Sequence, residues 1–326
     1  MREIAYQRAG NVEDAVRAGS QPEAAFLAGG TSLVDLMKLE VLNPARVIDV
    51  ARLDLSRIEV TTGGVRLGAT ATNSAVAAHV EVRRRFPGLC EALLSGASPQ
   101  LRNVATVAGN LLQRTRCAYY RDLSTRCNKR SPGAGCAAQE GWTRMHAILG
   151  GSDHCIAVHP SDMCVALAAL DAAVHVRGPR SERDIPFSDL HLLPGDHPER
   201  EFALEPGELI TWVFVPATPA AARSRYVKVR DRLSYAFALA SCAAGLEIAG
   251  GRIQAARIAV GGVATKPWRN LEAERALVGE APRAEAFRRA AEVALQGARP
   301  LRDNGFKVEL AKRTVVRALT LSAEGA

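Results

Sequence analysis

Cys117, Cys127, Cys136 and Cys155 fall within 39 residues of a 326-residue chain that holds seven cysteines in all. The stretch they span is polar, is broken at Ser131-Pro132-Gly133, and lacks the aliphatic periodicity of a core element. Packing gives such a loop no reason to collect thiols, whereas a structural zinc or an iron–sulfur cluster requires them. Gaps of nine, eight and eighteen residues separate the four. Zinc sites usually bring ligands in close pairs, because each pair closes a tight knuckle on a small ion. A cubane is larger and takes its ligands from separated turns of a wrapping loop, so the spacing favours a 4Fe–4S cluster. Arg114, Arg116, Arg121, Arg126, Lys129 and Arg130 crowd the first three thiols and would offset the charge of four thiolates.

Three further loops have the chemistry of anion cradles. Ala28-Gly29-Gly30-Thr31-Ser32-Leu33 follows an apolar run and opens a helical pattern, and adjacent glycines let backbone amides approach a phosphate closely. Thr106-Val107-Ala108-Gly109-Asn110-Leu111 is a second such element. His159-Pro160-Ser161-Asp162 is a third and opens a helix with a carboxylate. Each alone also fits a plain turn; the three in order are more specific.

The elements that must carry these loops alternate between strand and helix patterns. Ala24–Ala28 reads as a strand, Leu33–Leu39 as a helix, and Val47–Val50 and Val65–Thr70 as strands. Thr72-Asn73-Ser74 can cap a helix over Ala75–Val80, and a second helix runs from about Phe86 to Leu94. Ser161-Asp162 caps an apolar helix from Met163 to Leu170, followed by the strand Ala173–Val176. Pro and Gly then become frequent between Pro186 and Pro219, which reads as a linker or domain edge. Beyond it, strands over Tyr226–Val229 and Ile253–Val260 precede helices over Leu271–Leu277, Ala284–Leu295 and Lys307–Leu321. The chain is α+β in character, without repeats.

Composition excludes several classes. No run approaches the eighteen or so apolar residues of a membrane span, and Met1–Tyr6 lack the apolar region of a secretory signal. An odd cysteine count with four clustered argues against a disulfide framework, and Cys90, Cys164 and Cys242 sit in apolar contexts as small buried hydrophobes. The net charge of +8 could suggest nucleic acid, but aromatics are only 5% and the basic residues are spread, so none is expected. Gly133-Ala134-Gly135-Cys136 follows a basic loop, not a strand, and no NAD site is expected. No Gly-x-Ser-x-Gly elbow supports a hydrolase. His146, His154 and His159 read as surface or capping residues, and a zinc-stapled structural or nucleic-acid-binding module is the alternative from another class.

The three loops together resemble the flavoprotein subunits of the molybdenum hydroxylases, a group that includes xanthine dehydrogenase, carbon monoxide dehydrogenase and hydroxybenzoyl-CoA reductase. Their first loop reads Ala-Gly-Gly-Thr-(Asp/Asn)-Leu and their second Thr-(Ile/Val)-Gly-Gly-Asn-Leu; here Ser32 and Ala108 depart from the pattern. The resemblance implies a two-part FAD-binding domain, residues 1–57 and 58–216, with an iron–sulfur insertion at about 112–158, and a C-terminal α+β domain over 217–326. It implies that the first two loops hold the FAD pyrophosphate, that Asp162 bonds the ribityl or adenosine part, and that Lys228 approaches the isoalloxazine. Most of the family places Asn110 and Asp162 close together in one segment, whereas 52 positions separate them here. The cysteine loop is thus an insertion beside the flavin. Gln113–Cys117, Cys127–Gly133 and Arg230–Leu239 look most like the medium subunit of periplasmic aldehyde oxidoreductases. That implies partners: a large molybdenum-cofactor subunit and a small subunit with two 2Fe–2S clusters. It leaves the compartment between cytoplasm and co-export to the periplasm with a partner, and a hydroxybenzoyl-CoA reductase-like β subunit as the runner-up.

Overall fold

The computed structural model describes residues 2–325. Three sheets follow one another along the chain, and the sites lie where they meet. The first is parallel, in the order β1 (Ala5–Arg8), β3 (Arg46–Asp49), β2 (Ala24–Leu27). Parallel neighbours need crossovers, and the helices Val12–Gly19 and Leu33–Lys38 supply them. Asn11 caps the first of these by accepting the Asp14 N–H, and Ala15 and Val16 pack on Ile48 and Val50.

The second sheet is antiparallel in the order β4 (Ile58–Thr61), β5 (Gly64–Gly68), β8 (Leu209–Pro216), β6 (Ala173–Arg177), β7 (Glu182–Pro186). Its inner face shares a core with the helices Pro87–Ser95 and Asp162–Ala169, built on Val65, Leu67, Leu89, Leu93, Met163, Leu167, Val174 and Val213. The third sheet, also antiparallel, runs β12 (Trp268–Arg269), β11 (Arg252–Gly261), β10 (Ala240–Ala249), β9 (Arg225–Val229). The helices Ala284–Ala294 and Phe306–Glu324 cover one face through Phe287, Ala291, Val315 and Leu319. Among the described residues, no helix is long and apolar enough to cross a membrane.

Three sequence expectations change. The Pro/Gly-rich stretch is not a plain linker: it contains the helix Phe187–Leu190 and β8, the central strand of the second sheet, and only its end near Pro219 is an edge, between the second sheet and the third. Its prolines fall at strand ends and in the turns between elements, where no ladder hydrogen bond is lost. The helix expected over Ala75–Val80 stops at Ala78; His79 is extended and a new helix, Val80–Arg85, begins after it. Strand β10 was not expected at all. Ala240-Ser241-Cys242-Ala243-Ala244-Gly245 has low strand propensity, and the strand forms because both of its neighbours and both faces bury it.

Candidate functional site

The first loop leaves β2 and opens the helix Leu33–Lys38, with Gly30 in the left-handed region at φ +72°. A Cβ at Gly29 would lie 2.0 Å from the Val104 carbonyl oxygen. The Cα face of Gly29 thus meets the backbone of a second loop, a close contact that only glycine permits. Thr106 caps the helix Val107–Leu111 by accepting the Gly109 N–H at 3.2 Å. Residues 28–33, with Thr106, Ala108, Gly109 and Arg114, line one cleft of roughly 1070 Å³ between the first two sheets. Leu111 is fully buried and contributes its carbonyl, which accepts from His191 Nε2 at 3.0 Å.

The third loop closes on the second. Ser161 Oγ accepts the Cys164 N–H at 3.0 Å and donates to Asn110 Oδ1 at 2.6 Å. Asn110 Oδ1 thereby links the two loops, and Asn110 is not among the residues that line the cleft. Asp162 accepts from Tyr226 Oη at 2.6 Å and from Lys228 Nζ at 2.7 Å, and the ion pair is nearly dry, with side chains 8% and 4% exposed. Lys228 also donates to the Ser95 carbonyl at 3.1 Å. Burial, then the Asp162 charge, pushes the Tyr226 phenol far up. Lys228 thus anchors Asp162 at the edge of the open space and does not itself line it. That space is a second cleft of about 930 Å³, lined by Thr115, Arg116, Tyr119, His146, Ser161, Asp162, Phe237 and Gly262. The two clefts take adjacent stretches of one segment as walls, residues 106–114 in the first and 115–119 in the second.

The inserted segment returns repeatedly on itself so that Cys117, Cys127, Cys136 and Cys155 line a single small cavity with Arg126, Lys129 and Tyr120. A bridge pairs the backbone at Cys127 and Cys136, and another pairs Ser152 with Cys155. Among the described residues, only His159, Cys164 and His191 gather three donor atoms within 4.8 Å of one another. The four thiols are therefore spread more widely than the ~3.8 Å that four sulfurs on one tetrahedral zinc require. Burial pushes the Cys117 thiol up to about 12 and the Cys155 thiol upward, so these sulfurs become thiolates only when a metal displaces the proton.

The basic residues do less at the sulfurs than their crowding suggested. Arg116 and Arg121 bind Asp35 at 2.8 and 2.9 Å, tying the insertion to the helix Leu33–Lys38. Arg130 donates to the carbonyls of Tyr119, Tyr120 and Thr125. Arg114 and Lys129 both bind Glu201, and Lys129, 8% exposed in its side chain, alone stays buried beside three of the thiols. Arg126 lines the cavity but is largely solvated and bound to Glu140.

The surface-or-capping reading fails for His146 and holds in part for His159, whose Nδ1 accepts the Ser161 N–H at 3.4 Å. His146 is 5% exposed, and its Nε2 lies 3.2 Å from Cys117 Sγ. The His159 ring meets that of His191 edge to face at 4.4 Å, with its Nε2 shielded from solvent. His154 is exposed, as expected, near Asp196. Cys90, Cys164 and Cys242 are buried in the cores, also as expected. Sequence reading missed Tyr226, Ser95, Tyr119 and Phe237 at the site. Only Tyr226 carried a signal, as a phenol two residues before a strand lysine on the same face.

Residues 2–218 match the family described as FAD binding domain in molybdopterin dehydrogenase, and residues 225–322 match the CO dehydrogenase flavoprotein C-terminal domain. The chain is 49% identical over 98% of both lengths to the aldehyde oxidoreductase FAD-binding subunit PaoB of Escherichia coli (strain K12). It is 28% identical to the nicotine 6-hydroxylase medium subunit of Paenarthrobacter nicotinovorans, covering 97% of each chain. Among solved structures it is similar to carbon monoxide dehydrogenase from Hydrogenophaga pseudoflava, at a TM-score of 0.77 and 26% identity, covering 100% of this chain and 99% of that one. The CO dehydrogenase of Oligotropha carboxidovorans shares the fold at a TM-score of 0.79, with 24% identity and 100% and 99% coverage.

Proposed function

From the premise that this chain belongs to the FAD-binding medium subunits of the molybdenum hydroxylase family, and so is a subunit of an oxidoreductase complex, we propose that it relays electrons out of an aldehyde oxidoreductase. FAD would lie along the two clefts as one trough, held at its pyrophosphate by residues 28–33 and 106–111 and at its ring by the cleft that Ser161, Asp162 and Phe237 line. Cys117, Cys127, Cys136 and Cys155 hold a 4Fe–4S cluster. The aldehyde is oxidised in a large molybdenum subunit, a small subunit carrying two 2Fe–2S clusters lies between, and an external acceptor receives the electrons. Bound flavin supplies the exchange between paired and single electron transfer; the protein binds it, orients it and sets its potential.

This chain's own residues have specific parts. Backbone amides of the first two loops face the pyrophosphate. Asp162, fixed by Tyr226 and Lys228, presents a rigid carboxylate edge to the second cleft. Tyr119, Trp142 and Phe237 line that cleft and exclude water from the ring.

The observation that carries the reading is a shared wall: Cys117 and Tyr119 line both the ring cleft and the thiol cavity. The wide thiol spacing supports a cubane over zinc. Anaerobically prepared protein is expected to hold one FAD per chain and about four each of iron and acid-labile sulfide. Zinc in place of iron would sink the cluster, and turnover of aldehyde by this chain without partners would overturn the relay role.

A further inference from the structure

His146 stands between the two proposed cofactor sites and belongs to neither ligand set. Its side chain lines the ring cleft, and its Nε2 lies 3.2 Å from the Sγ of Cys117, the cysteine common to both cavities. A metal-bound cysteine sulfur carries no proton, so the imidazole must be the donor of this contact. The geometry is rigidly held. The His146 carbonyl accepts from Lys307 Nζ at 3.1 Å and Asn304 Nδ2 at 3.3 Å, and its own N–H donates to the Thr143 carbonyl at 2.8 Å. The ring meets Tyr119 at a centroid distance of 5.9 Å, and Nδ1 is buried without a partner. With Nδ1 unpartnered, the Cys117 contact is the imidazole's only hydrogen bond among the described residues. That arrangement has a clear use at a redox centre. A donor aimed at a ligating sulfur in a dry site stabilises the more negative, reduced state.

Resting on the cluster reading above, we propose that His146 is a positioning residue that donates Nε2–H to the Cys117 thiolate and raises the potential of the cluster on the side facing the flavin.

The test compares His146→Phe, which keeps an aromatic volume beside Tyr119 but has no N–H, with His146→Gln, which keeps a donor. In the full-length protein, the expected result for Phe is unchanged FAD and iron content with a lower midpoint potential in an EPR-monitored redox titration, and partial recovery in Gln. Pulsed EPR of wild-type protein labelled with 15N-histidine is expected to show one imidazole coupled to the reduced cluster, a readout that needs no variant to fold. A full cluster with the same potential in wild type and His146→Phe, or no imidazole coupling, overturns this inference alone. Wild-type protein without iron overturns the cluster reading with it.

Discussion

A Cβ on residue 29 would collide with backbone, not with a movable side chain, so Gly29→Val must separate the first two sheets where their loops touch. The expected outcome is loss of most FAD, read from the ratio of flavin to protein absorbance. Gly109→Val acts differently, because its Cβ meets the capping Thr106 Oγ1 at 3.0 Å and disturbs the helix start. Full flavin occupancy in both variants would misplace the cradle. Lys228 gives a second residue-scale expectation. Lys228→Met leaves the Asp162 carboxylate buried with only Tyr226 as partner, at a cost of roughly 3–5 kcal/mol. Urea unfolding measures it, and Asp162→Asn added to Lys228→Met should recover much of the loss. Among the cysteines, Ser at 117, 127, 136 or 155 should lose iron, while Ser at 90, 164 or 242 should keep iron and cost only packing stability.

At the scale of elements, what was legible depended on how local the signal was. The glycine turn after β2, the Thr72 and Ser161 caps and the apolar helix Asp162–Ala169 all follow from neighbours in sequence. Strand β10 and the role of β8 do not, because burial between other strands decides them. Arg114, Arg116 and Arg121 misled for the same reason: their partners Asp35 and Glu201 lie more than 80 residues away. The Lys228–Asp162 pair was equally out of reach, because the partner sits on another sheet's helix. Glu201 now carries an expectation of its own. Its single carboxylate bridges Arg114 and the buried Lys129, so Glu201→Gln should loosen the insertion. Limited trypsin digestion would show this as faster cleavage between residues 114 and 130 than in wild type; equal rates would mean the ion pairs do not hold the loop.

Across the whole molecule, buried imidazoles set an acid limit. Burial pushes His191 and His146 down to about 4, and holds His159 well below its usual range. In the unfolded chain these groups titrate near 6.5, so between about 4 and 6.5 the unfolded state binds more protons and stability falls as the pH drops. Denaturant midpoints across that window should decline, and His191→Phe should flatten the slope; an unchanged slope would show that His191 does not titrate on unfolding. The neck of the insertion has a different consequence. Thr115 Oγ1 donates to the Val158 carbonyl at 3.0 Å, and just outside it Ser161 binds Asn110, so two rungs close the loop before the cysteines begin. The flavin scaffold thus fixes both ends of the segment, much as a socket holds a plug. Cysteine loops exchanged between relatives at these rungs should seat without remaking the trough, which makes this segment an interchangeable cassette.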